Sequence, residues 1–177
     1  MLTSKRTEEI LNNFFKELIK QSRANLTRQK KNASKDLYNN IEYDVKVNPN
    51  SIETYFGWPI DKGGKYADFI DKGVKGVDSG RSLAGYRYTT KRPPVREIKK
   101  WMRVKPVKAR DRSTGRFITQ EQGAYLIANA IFKRGLTPTQ FYSKPFERLY
   151  LKLPDELIEA YGDDLDDFLN FELNDNG

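Results

Sequence analysis

The sequence predicts an α+β fold, a small antiparallel sheet flanked by helices, with a long N-terminal helix and an acidic C-terminal helix. Three observations predict it. Leu11, Phe14, Phe15, Leu18, Ile19, Ser22 and Leu26 recur at three- and four-residue spacing, which places them on one helical face. Ile41, Tyr43, Val45 and Val47 alternate with Glu42, Asp44 and Lys46, the period of a half-buried strand. A second helical period runs through Ala124, Ile127, Ala128 and Ile131 and stops at Gly135, where a helix C-terminal glycine belongs.

The first helix runs from Ser4 to about Asn32, with Thr3 or Ser4 as cap and Glu8 and Glu9 near its positive end. Its apolar stripe fades after Leu26, so TRQKKNASK is a solvated extension or an arm that docks on something acidic. Strand Ile41–Val47 turns at Asn48-Pro49-Asn50 and returns as Ile52–Trp58. Lys65–Lys72 is a short helix or an extended piece. Gly73–Gly85 is a flexible, Gly- and Ser-rich loop, and Gly85–Thr90 is a third strand. Pro93-Pro94 opens a helix over Val95–Val104, with Val95, Ile98, Trp101 and Met102 on one face and Arg96, Lys99, Lys100 and Arg103 on the other. Lys105–Arg116 has no apolar period and reads as a disordered or protruding basic loop. The helix through Gln120–Arg134 carries small residues at Gly123, Ala124, Ala128 and Ala130, which admit a close neighbour. Thr137-Pro138 has the form of an N-cap and first-turn proline of another short helix. Phe146–Leu153 fits either a strand or a helix. Pro154 starts the last helix, with Leu157, Ile158, Tyr161, Leu165, Phe168 and Leu169 on one side and Asp163, Asp164, Asp166 and Asp167 on the other; the final NDNG frays. This gives one domain over residues 1–153, with mobile loops at 73–85 and 105–116, and an acidic helix and tail over 154–177.

Composition narrows the function. Of 177 residues, 37% are hydrophobic and 32% charged, enough for one domain with a lean core. The chain has neither cysteine nor histidine, which excludes thiol nucleophiles, imidazole bases, disulfides and Cys/His zinc sites. The longest near-apolar run, Ala124–Phe132, is short of the ~20 residues of a membrane span, and MLTSKRTEEI lacks the apolar stretch of a signal peptide. A soluble intracellular protein is expected.

The net charge of +8 is unevenly spread. Gly80–Arg116 holds 13 basic and 2 acidic residues, whereas Pro154–Gly177 holds 9 acidic and no basic ones. A basic middle suits a polyanion or an acidic protein surface, and the acidic end suits a basic partner, the basic patch of another copy, or solubility. Arg81, Arg87, Lys105, Lys108, Arg110, Arg112 and Arg116 are the candidate contacts to partner protein or DNA. Tyr86, Tyr88 and Trp101 are interleaved with these cations, as base stacking would require, although strand and helix packing accounts for them equally. Glu97-Ile98-Lys99 matches part of a metal-dependent nuclease core, with Asp68, Asp71 and Asp78 upstream, but it lies on a helix where that core needs a strand. The C-terminal aspartates lack the alternating ligands and turn glycine of a Ca²⁺ loop, and Gly63-Gly64-Lys65 lacks the rest of a phosphate loop. No catalytic residue, metal or cofactor is expected.

The order of elements carries a resemblance. YADFIDKGV is followed by a Gly-rich loop, then by RPPVREIKKWMRVK and AYLIANAIFKRGLTPTQFYSKPF. Over Ser4–Phe146 the chain resembles the head–tail joining, or neck and tail-completion, proteins of tailed bacteriophages. The matching positions are Tyr66, Ala67, Phe69, Asp71 and Gly73, then Gly135, Pro138 and Phe141. The resemblance implies a non-enzymatic virion protein, present in the host cytoplasm during assembly. It implies a ring of about six or twelve copies between the head's portal or adaptor and the tail, around the DNA channel. The basic loop would then face the DNA or dock on a neighbouring acidic ring; docking better suits a channel through which DNA slides. The alternatives are a sequence-nonspecific nucleic-acid-binding accessory protein and the nuclease.

Overall fold

The computed structural model describes residues 5–31, 34–48, 51–79, 85–105, 107, 110–111 and 113–175, with backbone alone at residues 65, 164–165 and 167–175. The chain is an α+β protein. In chain order its elements are α1 (Lys5–Arg28), α2 (Asp36–Asn39), β1 (Glu42–Asn48), β2 (Ser51–Gly57), a 3-10 turn (Ile60–Lys62), α3 (Gly64–Lys72), β3 (Val74–Lys75), α4 (Val95–Val104), α5 (Gln120–Arg134), β4 (Gly135–Leu136), α6 (Ser143–Tyr150) and α7 (Leu153–Asp175). No helix among the described residues is long and apolar enough to cross a membrane.

Helix α1 is the spine. Its stripe of Leu11, Phe14, Phe15, Leu18, Ser22 and Leu26 is buried as its spacing requires. The N-terminal half of the stripe packs with Leu153 of α7 and with Tyr43 and Val45 of β1. The C-terminal half joins Leu37, Ile41, Trp58, Ala67 and Phe141. Phe15 stacks on Tyr43 at 5.3 Å between ring centroids, and Phe56 lies between the two clusters, touching both. Each such aliphatic or aromatic side chain contributes about 1.5–3 kcal/mol when fully buried. Beyond Arg28 the helix stops as Lys30 takes a positive φ of 56°.

The hairpin pairs Glu42 with Gly57 through Asn48 with Ser51. One face of β1 is half-buried as alternation predicts, while Ile52 and Tyr55 of β2 stay exposed. Helix α2, which carries no period long enough to show in the sequence, is pinned by one buried side chain, Leu37. The Trp58 indole N–H donates to the Leu37 carbonyl at 2.7 Å, satisfying the polar edge of a buried aromatic.

Four expectations are corrected. Among the described residues there are two two-stranded sheets rather than one sheet with a third strand: β3 pairs antiparallel with β4, and Gly85–Thr90 makes only a parallel bridge, Lys75 with Arg87. The stretch expected as a loop from Gly73 thus opens with strand β3, and residues 80–84 lie outside the described residues. Thr137-Pro138 does not start a helix; α6 begins at Ser143 and continues through most of the ambiguous Phe146–Leu153 segment. On α7, Leu153, Leu157 and Ala160 face the body, while Ile158 and Tyr161 are exposed. The reason is that Leu153, Leu157 and Ala160 form the stripe aligned with α1, against which α7 lies.

The α3–β3 and β4–α6 segments lock together through backbone contact. Gly73 (φ 74°, ψ −176°) and Gly135 (φ 79°, ψ −169°) both occupy a region open essentially to glycine. A Cβ on Gly73 would overlap the Leu136 carbonyl, and one on Gly135 would overlap the Val74 carbonyl. Gly135 caps α5 as expected, its amide donating to the Ile131 carbonyl, and leads directly into β4. The Thr139 and Gln140 amides then donate to the Asp71 carbonyl at 3.0 and 2.9 Å. Asn25 of α1 and Gln29, just beyond its end, clasp the same turn by donating to the Phe141 and Thr139 carbonyls.

Candidate interaction surface

The basic middle of the chain is built on α4. Pro94 starts the helix, and α4 rests on α5, burying Met102 where Gly123, Ala124 and Ala128 leave room for close approach. Thr119 and Gln122 form a reciprocal capping box at the start of α5, satisfying two otherwise free amides. Because α4 is covered along a narrow strip only, Trp101, expected on its packed face, is 39% exposed. Val95 and Ile98 are half-buried.

The α4 cations are partly spoken for. Lys100 and Arg96 lie 3.0 and 3.5 Å from Glu97, and the Lys100 hydrogen bond, then Arg96, holds the Glu97 carboxyl below its usual range. Lys99 lies 3.8 Å from Glu121 on α5. Arg103 is exposed and has no acidic partner among the described residues. Glu97 and Lys99 thus engage different partners rather than converging. Asp68 accepts the Tyr142 hydroxyl at 2.6 Å, and burial together with Asp68 raises the Tyr142 pKa. Asp71 is committed to the α6 cap. Among the described residues no three acidic side chains gather to hold a metal ion.

The candidate cations fall in three places. Arg110 and Arg116 come together in a tight turn closed by the Arg110–Phe117 bridge. Asp111 Oδ1 accepts from the Ser113 and Thr114 amides at 2.9 and 2.8 Å and from both hydroxyls at 2.6 and 3.0 Å. These bonds, led by the Ser113 hydroxyl, lower the Asp111 pKa to about 2. Arg110 stands 4.1 Å over the exposed Phe117 ring. The described part of the basic loop is therefore a hydrogen-bonded turn with Arg110 and Arg116 exposed. Lys105 donates to the Lys30 carbonyl, just past the end of α1. Arg87 lies apart, with its guanidinium 3.3 Å from the Val77 carbonyl. Arg81, Lys108 and Arg112 lie outside the described residues.

Arg87 belongs to a groove of about 550 Å³ that sequence reasoning did not find. Phe69, Ile70 and Val74 from α3 and β3 contribute to its lining, together with Tyr86 and Tyr88 from the bridged segment. Arg87, Lys91 and Arg92 also line it, and among the described residues no carboxylate does. The interleaving of tyrosines and cations was the signal available. Tyr86 packs edge-on against Phe69 at 4.6 Å, and burial raises the Tyr88 pKa. The tyrosines therefore serve as groove wall more than as free stacking platforms. Arg92 reaches the Tyr125 hydroxyl at 2.7 Å and lies over the Tyr125 and Phe132 rings, so the groove rim is braced by α5.

On α7, Asp155, Ile158 and Tyr161 are exposed, while Glu156 and Glu159 line a cleft with Arg6, Glu9, Ile10 and Asn13 of α1. Of the expected aspartate cluster, Asp163 pairs with Arg6 at 3.2 Å and Asp166 is exposed. The Asp164 and Asp167 side chains, with those of Leu165, Phe168 and Leu169, lie outside the described residues. No family model, no curated protein and no solved structure matches this chain.

Proposed function

We propose that the chain is a structural protein of the tailed-bacteriophage neck. In this role it forms a ring of about six or twelve copies that joins the head's portal or adaptor to the tail and surrounds the DNA channel. It works by binding rather than catalysis, in the virion and, during assembly, in the host cytoplasm. The observation that carries this reading is the convergence of the two short patterns that resemble the neck family. Asp71 and Gly73, from the first pattern, meet the turn through Gly135, Pro138 and Phe141, from the second. Two patterns with one structural purpose are a stronger resemblance than two unrelated strings. The charge map supports the same role, because a closed ring joins one face of each copy to a different face of the next.

Immunogold labelling of tailed particles tests the proposal: label at the head–tail junction is expected, and label elsewhere or none would overturn it. A second reading, a sequence-nonspecific nucleic-acid-binding accessory protein, draws on the exposed Arg103, Arg110 and Arg116. It requires the free chain to retain DNA on a filter with affinity falling steeply with salt.

A further inference from the structure

We infer that the groove over α3 and β3 receives the outer face of α7 from a second copy of this chain, so that copies join head to tail. The inference rests on the ring proposed above and names its contact. The groove offers an apolar wall of Phe69, Ile70 and Tyr88 with Arg87, Lys91 and Arg92 and, among the described residues, no carboxylate. Its occupant must therefore be both apolar and acidic. The outer face of α7 has that character: Ile158 is 71% and Tyr161 58% exposed, three residues apart on one helical face, with Asp155 exposed one turn before Ile158 and Asp166 exposed three turns beyond Asp155 along the same side. No residue from Pro154 to Gly177 is basic, so no cation on this helix opposes the approach.

The two surfaces belong to different parts of the chain. Helix α7 lies along α1 through Leu153, Leu157 and Ala160, and among the described residues none that lines the groove comes from α7. A groove on one copy and a helix face on the next make a heterologous contact, which generates a closed ring or an open filament and not a self-complementary dimer. The volume admits a few side chains rather than a whole helix, so Ile158 and Tyr161 enter while the carboxylates meet the cations at the rim. Charge pairs at a rim set the register and make association sensitive to salt.

Analytical ultracentrifugation of the full chain tests this with two variants at exposed positions. Arg87→Glu with Lys91→Glu disables the groove, and Asp155→Lys with Ile158→Ser disables the helix face. The wild type is expected to assemble beyond dimers as concentration rises and to dissociate between about 0.05 M and about 0.5 M salt. Each variant alone is expected to stay monomeric, and their equimolar mixture to stop at a dimer, since only one intact groove and one intact face remain per pair. A wild type that stays monomeric at every concentration overturns the inference. Oligomers that both variants leave unchanged also overturn it, while leaving the ring itself standing. Loss of DNA retention in the groove variant with self-association intact would make the groove a nucleic-acid site instead. Head-to-tail assembly by a chain absent from particles would uphold the contact and overturn the neck role.

Discussion

Asp71 and the Tyr142 amide stand 71 positions apart in sequence and 3.0 Å apart in space, with the amide donating to Asp71 Oδ1. The same oxygen accepts from the Ser143 amide at 3.3 Å, so a carboxylate on α3 caps α6 in place of any local residue. Asp71 is fully buried. Asp71→Ala should therefore strand two donors and lower stability by about 1–3 kcal/mol. Asp71→Asn keeps an acceptor and should cost less. Urea unfolding monitored by circular dichroism decides; equal and negligible effects would remove the cap from the picture.

Glycine substitutions should separate packing from conformation. Gly135→Ala places a methyl group against the Val74 carbonyl in a glycine-only conformation and should cost more than about 3 kcal/mol. Gly115 also has a positive φ, 70°, but nothing lies near its added Cβ, so Gly115→Ala should cost only about 1–2 kcal/mol. Gly162, inside α7 with open space around it, should gain about 0.5–1 kcal/mol on replacement by Ala. Thermal melts of the three variants should rank in that order.

The split between these glycines shows where the sequence was legible. Helices α1, α4 and α5 and the β1–β2 hairpin each carry their signal locally, in a period or a turn, and each stands where the pattern put it. Strands β3 and β4 are two residues long, too short for any period, and exist because Gly73, Gly76 and Gly135 let two backbones touch. Thr137-Pro138 offered a local cap that tertiary contact overrode, since Asp71 holds the turn one step later. At the candidate surface, the Ser-Thr-Gly turn and the run of cations were visible. That Lys105 faces the Lys30 carbonyl and Arg92 braces on Tyr125 depends on partners 75 and 33 positions away, which no local pattern encodes.

The Asp111 turn should respond to acid in a defined window. Its folded pKa of about 2 lies below the ordinary 3.8, so the turn's contribution is fully present above pH ~3.8 and is lost as pH falls through about 2. NMR titration should show the Ser113 and Thr114 amide resonances moving with a midpoint near 2. A midpoint near 3.8 would mean that the four hydrogen bonds do not persist in solution.

Charge reversal at Arg110, Arg112 and Arg116 should distinguish the two uses proposed for the basic loop. If it docks on an acidic neighbouring ring, the triple variant should fail to complete particles, read as a fall in infectious titre with heads and tails left unjoined. Unchanged assembly would argue against docking.

The neck assignment itself is tested most directly by counting. Quantitative mass spectrometry of purified particles, referenced to the major capsid protein, should find this chain at about six or about twelve copies per particle, the stoichiometry of one closed ring. Its absence from particles, or a count that scales with the capsid lattice, would contradict a neck ring.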